Sequence, residues 1–300
     1  MSPSIQWYPG HMTKARREMG ESIPSQDVII EVLDARMPRA SENPIVTELR
    51  RQKPCIKVLS KSDLADPAIT QQWLRHFAVE SAATDASSES PGGPQPDHGT
   101  GKVVALAVSA ERASEAKARI PELCKVLAQR RSGPGQTIRA MIVGVPNVGK
   151  STLINTLMER RVANVGDEPA VTKGQQQVTL KNGMTLSDNP GILWPKIDDG
   201  AASFRLALGG AIPDSAIDYE PVALFGARFF LERYPALLRA RFKLEQVPAE
   251  PEELLNEIGR RRGCLRSGGV VDLHKAADIL IHEFRTGKLG RISLESPGDE

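Results

Sequence analysis

Eight residues near the middle of the chain, Gly144-Val145-Pro146-Asn147-Val148-Gly149-Lys150-Ser151, carry the spacing G-x-x-x-x-G-K-S. The apolar run Ile138-Arg139-Ala140-Met141-Ile142-Val143 precedes them, and a helix-forming stretch from Lys150 to Arg160 follows. A glycine-rich turn between a strand and a helix is a phosphate cradle. Backbone N–H groups of residues 146 to 151, Pro146 excepted because it has none, curl around an anion at which the helix also points its positive end. Lys150 would reach the terminal phosphates of a nucleoside triphosphate, and the Ser151 hydroxyl would ligate Mg2+. A second motif, Ser60-Lys61-Ser62-Asp63, ends the apolar run Cys55-Ile56-Lys57-Val58-Leu59 and lies ahead of the first. The Asp63 carboxylate can accept both N–H groups on the Watson–Crick edge of guanine, which adenine does not offer, and the Lys61 stem can lie over the ring. In most chains that combine these motifs the phosphate loop comes first. The inverted order points to a circularly permuted nucleotide-binding domain, which narrows the fold more than either motif alone.

The rest of the nucleotide site can be filled in around these two motifs. Asp188-Asn189-Pro190-Gly191 follows a short strand downstream of the phosphate loop. There Asp188 would hold the metal through water, and the Gly191 N–H would face the γ-phosphate. Between them, Val171-Thr172-Lys173-Gly174 offers Thr172 as a switch residue that ligates Mg2+ only when the γ-phosphate is present. Ser109-Ala110, after the run Val103 to Val108, would complete the base pocket. The binding set is thus Ser60, Lys61, Ser62, Asp63, Ser109, Ala110, Pro146, Asn147, Val148, Gly149, Lys150, Ser151, Thr152, Thr172, Asp188 and Gly191. Ser60 stands where such motifs usually have Asn. A hydroxyl is shorter and cannot supply an amide's donor and acceptor together, so a lost hydrogen bond of about 0.5–1.5 kcal/mol and weaker guanine binding are expected.

Short β-branched runs at 28–34, 55–59, 103–108 and 138–143 alternate with helical stretches at 43–51, 67–77, 113–130 and 150–160. This alternation predicts an α/β domain with a mostly parallel sheet covered by helices on both faces. Gln177 to Leu180 and Met184 to Ser187 flank Lys181-Asn182-Gly183, a hairpin signal. Ser81 to Gly101 is rich in Ser, Ala, Gly, Pro, Asp and Thr, and a disordered surface insertion is expected there. Beyond about Gly200 the strand signals stop, predicting a first domain over 1–200 and a small all-α domain over 201–300. Leu273, Ala276, Ala277, Leu280, Ile281 and Phe284 share one helical face.

A net charge of +2 permits an RNA partner without arguing for one, because clustering of charge is what matters. Between Arg228 and Arg291 thirteen Lys/Arg face nine Asp/Glu, and Arg260-Arg261-Arg262 is the densest basic cluster there. Lys14, Arg16 and Arg17 form a second candidate phosphate-contacting group. Cys55, Cys124 and Cys264 are widely spaced, which argues against zinc or a disulfide framework. No stretch approaches the about 20 apolar residues that span a bilayer, and no signal-peptide core follows Met1, so no membrane association and a cytoplasmic location are expected.

Taken together, Trp7-Tyr8-Pro9-Gly10-His11-Met12, Asp34-Ala35-Arg36-Met37-Pro38, Gly144 to Thr152 and Asp188 to Lys196 resemble the YlqF/RbgA family of circularly permuted GTPases. The resemblance covers nearly the whole chain outside 81–101 and the last few residues. It implies a factor that binds the maturing large ribosomal subunit and its rRNA, hydrolyses GTP there and leaves, with an RNA-contacting C-terminal domain; a monomer is expected. Many GTPases place Gln after the D-x-x-G glycine to orient the attacking water, but this chain has Ile192. The resemblance implies His11 as the catalytic group, and Asn147 as part of a K+ site beside the phosphates. Two other readings stay open: a GTPase with a non-ribosomal target, and a nucleotide-gated RNA-binding module with negligible turnover.

Overall fold

The computed structural model describes residues 9–87, 101–128, 137–158, 176–195, 197 and 199–299. Two compact units divide the chain. Among the described residues, one comprises those up to Pro195 together with Glu295–Asp299, and the other those from Ile197 to Leu294.

The first unit is built on a six-stranded sheet among the described residues. Its elements in chain order are α1 (Gly10–Ser22), β1 (Val28–Asp34), α2 (Pro38–Ser41), α3 (Pro44–Arg50), β2 (Cys55–Ser60), α4 (Pro67–Ser87), β3 (Val103–Ala107), α5 (Ala113–Leu127), β4 (Arg139–Val143), α6 (Lys150–Met158), β5 (Gln176–Thr179) and β6 (Thr185–Asp188). The strand order is β3-β2-β1-β4-β6-β5. All neighbours run parallel except β5, which pairs antiparallel with β6 through the expected Asn-Gly hairpin. Every residue of β1, β2 and β6 is buried, so the middle of the sheet is covered on both faces, as continuous β-branched runs require. Leu33, Leu59, Trp73 and Phe77 form part of that packing, with α4 supplying the aromatic rings. The chain steps outward from β1 to β2 and β3, then returns to the other side of β1 with β4. The direction therefore reverses between β1 and β4, and ligands of open α/β sheets bind beyond the carboxyl ends of strands at such a point.

Several details differ from the sequence reading. Helix α4 continues to Ser87, so 81–87 are helical; an Ala- and Ser-rich stretch without Gly or Pro lets the helix propagate. The remainder of the expected insertion, 88–100, lies outside the described residues. A helix not foreseen from the sequence, α1, opens at Gly10, with Met12 N–H donating to Pro9 O at 2.9 Å. The boundary between the two units falls after Pro195, and Glu295–Asp299 group with the sheet unit. There Glu295 Oε1 accepts the Ala40 N–H at 3.1 Å, and its carbonyl accepts the Trp73 indole N–H at 3.3 Å.

The second unit is helical: α7 (Gly200–Gly209), α8 (Tyr219–Arg233), α9 (Pro235–Phe242), α10 (Pro251–Arg261) and α11 (Leu273–Arg285). Asp199, Asp218 and Asp272 accept backbone N–H groups at the starts of α7, α8 and α11, which sets those boundaries. The apolar stripe of α11 packs inward, with Phe284 5.4 Å from Phe230 between ring centroids. Among the described residues no helix is long and apolar enough to cross a membrane.

Candidate functional site

The phosphate loop lies between the end of β4 and the start of α6, beside the reversal point. Its backbone alternates into positive φ at Gly144 (150°), Asn147 (54°) and Gly149 (105°), the kind of alternation that turns successive N–H groups toward one anion. Gly144 lies under β1, where a Cβ would stand 2.5 Å from Val32 O. The buried Lys150 ammonium folds back on its own loop, donating to Gly144 O at 3.2 Å and Val145 O at 2.9 Å. Gly191 presses on the same loop: a Cβ at this position would lie 2.7 Å from Pro146 Cα and 2.8 Å from Lys150 Nζ. Only glycine lets the Asp188–Gly191 segment approach so closely.

The base-reading motif leaves β2 on the same edge of the sheet. Ser60 Oγ lies within hydrogen-bonding reach of two carbonyls, Leu33 O at 2.9 Å and Val148 O of the phosphate loop. Ser60 thus ties the two motifs together, a role that its short side chain did not suggest. Lys61 adopts φ 55°, and its ammonium donates to Asp34 Oδ2 at 2.9 Å. Ser62 N–H donates to Val108 O at 3.2 Å, which brings the Ser109-Ala110 turn alongside. Ser109 Oγ accepts the Arg112 N–H at 3.1 Å and so shapes that turn. Asp63 Oδ1 is shielded and has no hydrogen-bond partner among the described residues, an acceptor suited to a ligand's N–H group.

Residues 139–212 match the family described as 50S ribosome-binding GTPase. Ribosome biogenesis GTPase A of Bacillus licheniformis is 41% identical over 298 residues, covering 98% of this chain and 99% of that protein. The chain belongs to the ribosome biogenesis GTPase A family. The Thermotoga maritima member is 30% identical over 98% of this chain and 95% of its own. A solved GDP-bound structure of TM YlqF aligns with a TM-score of 0.62 at 28% identity, covering 94% of this chain and 100% of that one.

Within this GTPase family member, charge at the phosphate side is poorly compensated. Burial pushes the Asp188 carboxyl up to about 6, against the pull of Lys150, and both its oxygens lack a partner among the described residues. Burial likewise brings Lys150 down to about 8, opposed by Asp188. A bound triphosphate and a divalent cation would supply the missing counter-charges, so the residues present fit such a ligand. At the base side burial also raises the Asp34 carboxyl, but Arg36 and Lys61 outweigh it and hold the group well below the usual carboxylate range. Arg36 grips Asp34 through Nε at 2.9 Å and Nη2 at 2.8 Å, and both side chains are buried.

The other expected residues are distributed unevenly. Pro146 and Val148 are buried in the loop wall, Ser151 is half-buried at the helix start, and Thr152 is exposed on α6. Thr172 lies outside the described residues. His11 is exposed on the first turn of α1, next to Met12, whose Sδ lies 3.5 Å from the Leu193 N. Ile192 is 3% exposed, an apolar wall where many GTPases have Gln. The basic groups singled out for RNA are already matched with carboxylates: Lys14 with Glu18, Arg16 with Glu48, Arg17 with Glu21, Arg260 and Arg261 with Glu257, and Arg262 with Glu283. Sequence reasoning missed the buried pairing of Asp34 and Arg36 beside the candidate site. Both sit in the quoted Asp-Ala-Arg motif, but nothing in their spacing reveals that the fold brings Lys61 onto the Asp34 carboxylate that Arg36 already holds.

Proposed function

We propose that this GTPase binds GTP at the β1/β4 edge, hydrolyses it while associated with the large ribosomal subunit, and dissociates afterwards. The observation that carries the reading is the convergence of Ser60, Gly149, Lys150 and Gly191 on one sheet edge, beside the half-buried Asp63 and the buried Asp188, which have carboxylate oxygens without a hydrogen-bond partner among the described residues. The strand order together with the base motif preceding the phosphate loop is what a circularly permuted GTPase domain would have. Asp63 would choose guanine by accepting its two edge N–H groups, while Lys61, fixed by Asp34, lies along the base. Lys150 would leave its two loop carbonyls for the β- and γ-phosphates, and the Gly191 N–H would meet the γ-phosphate. Ser151, Asp188 and Thr172 would hold Mg2+, which when bound offsets charge on the phosphates; Asn147 would contribute to a K+ site with the same effect. His11, on a helix anchored through Met12 beside Ile192, would accept a proton from the attacking water. Basic residues of α1 and of the 201–300 region, Arg260 and Arg261 among them, would exchange their intramolecular surface pairs for rRNA phosphates, since such pairs are worth only about 0–1 kcal/mol, while Arg262, held by the buried Glu283, would offer its remaining N–H groups.

Ribosome assembly as the setting rests on the names of relatives such as ribosome biogenesis GTPase A and the mouse mitochondrial ribosome-associated GTPase 1. The test is phosphate release from GTP with and without purified large subunits, in KCl and in NaCl. Stimulation by subunits is expected, with higher rates in KCl; equal rates in all four conditions would remove both the ribosomal and the K+ parts. His11→Ala should keep nucleotide affinity and lower stimulated turnover about 100-fold or more, the usual scale of a general base. Unchanged turnover would take His11 out of the mechanism.

A further inference from the structure

Asn43 precedes α3 and is completely buried. Each of its polar groups has a job. Oδ1 accepts the Ile45 N–H at 3.0 Å and caps α3. Its backbone N–H donates to Glu31 Oε1 on β1 at 3.2 Å. Its side-chain amide, Nδ2, donates to Ile192 O at 2.8 Å, across 149 residues of sequence. Ile192 is the residue after Gly191, and its neighbour Leu193 directs its N–H at Met12 Sδ. The Asp188–Ile192 loop is therefore held from two sides: Gly191 lies on the phosphate loop, and Ile192 is gripped from behind by a side chain rooted in β1 and α3.

We infer that Asn43 is a positioning residue for the γ-phosphate side of the site, its amide N–H fixing the Ile192 carbonyl so that Gly191 stays against Pro146 and Lys150. This rests on the proposed GTP site, and it adds a residue outside the nucleotide motifs. An ordinary helix cap needs only an acceptor, which Ser or Asp supplies as well as Asn. The donor to Ile192 is what those residues lack, since Asp is acceptor-only when ionised and the Ser hydroxyl is shorter. The grip also explains how an apolar residue at 192 can stay in register: the loop is located through its backbone, not its side chain.

Asn43→Ser keeps the α3 cap and withdraws the amide, and Asn43→Asp keeps the shape and removes the donor. Hydrogen exchange of the peptide spanning 189–194 in nucleotide-free protein reads the grip without reference to GTP. It should accelerate about tenfold or more in Asn43→Ser, the scale of one buried hydrogen bond, with the melting curve of α3 and the sheet largely kept. Affinity for GDP, which has no γ-phosphate, should change less than about threefold, while affinity for a non-hydrolysable GTP analogue and kcat each fall about tenfold. Asn43→Asp should repeat the pattern and serves if the serine variant folds poorly. Exchange at 189–194 no faster than in the parent protein would overturn the inference whatever the nucleotide data. So would equal losses of GDP and GTP-analogue affinity, which mark a merely structural residue. Faster exchange in the Asn43 variants, combined with a parent protein that binds no GTP, would instead leave the grip standing and remove the proposed site.

Discussion

Two aspartates end two parallel strands of one sheet, Asp34 on β1 and Asp188 on β6, with the phosphate-loop strand β4 between them. Both are buried, at 1% and 2% exposure, and burial alone pushes both carboxyls up. Asp34 meets a guanidinium and an ammonium and ends far below its ordinary range; at Asp188 burial outweighs the pull of Lys150 and of the Asn189 backbone N–H, and the carboxyl stands at about 6. The sheet end at Asp34 is thus electrostatically finished in the folded protein, whereas the end at Asp188 carries a deficit. Ligand sites have this character because charges positioned for a ligand cannot also be satisfied without it.

The comparison breaks most visibly at Asp34. Asp34→Ala would leave the Arg36 guanidinium buried without this carboxylate, and breaking such a pair costs about 3–5 kcal/mol. Urea unfolding should show a loss of that size, with GTP affinity falling as Lys61 loses its anchor; a loss under about 1 kcal/mol would mean the pair is not buried as described.

The opposite sign is expected at Asp188. Its folded-state pKa lies above that of an unfolded carboxyl, so the folded form takes up its proton first as pH falls. Stability from this group is present in full below about pH 4 and is lost as pH rises through about 6. Nucleotide-free, metal-free Asp188→Asn should accordingly be more stable than the parent at pH 8, by up to about 3 kcal/mol, and lose Mg2+-dependent GTP-analogue binding. A variant that is less stable at pH 8 would show that Asp188 is structurally compensated like Asp34.

The smallest effect sharpens the link between the two sides. Ser60→Ala removes the hydroxyl that touches Val148 O, and GDP affinity should fall by about 3- to 12-fold, the equivalent of one ordinary hydrogen bond. No change in isothermal titration would mean that the base motif and the phosphate loop are set independently.

Much of the site was legible because its parts are local. The G-x-x-x-x-G-K-S spacing needs only a strand, a turn and a helix start, and the runs from Val28 and Cys55 are too uniformly apolar to be anything but buried strands. The unread parts depend on long-range pairs. That Gly10 opens a helix depends on packing of Met12, Ala15 and Met19, all buried, and the isolated stretch carries no capping signal. The continuation of α4 into 81–87 was hidden because a Ser- and Ala-rich composition suits both a loop and a helix. Arg16 and Arg262 looked available because their carboxylate partners, Glu48 and Glu283, are remote in sequence, whereas Lys14, Arg17, Arg260 and Arg261 pair within one turn of their own helices.

From sequence alone came the residue types that phosphate, metal and guanine require and the inverted order in which the chain delivers them, since those follow from side-chain chemistry and spacing within a few residues. The tertiary structure decided which charges are neutralised and which are left waiting. Asp34 and Asp188 are the same residue at the same kind of strand end, and the neighbours that the fold brings to each, Arg36 and Lys61 in one case and the buried Lys150 with the Asn189 backbone in the other, set their energies apart.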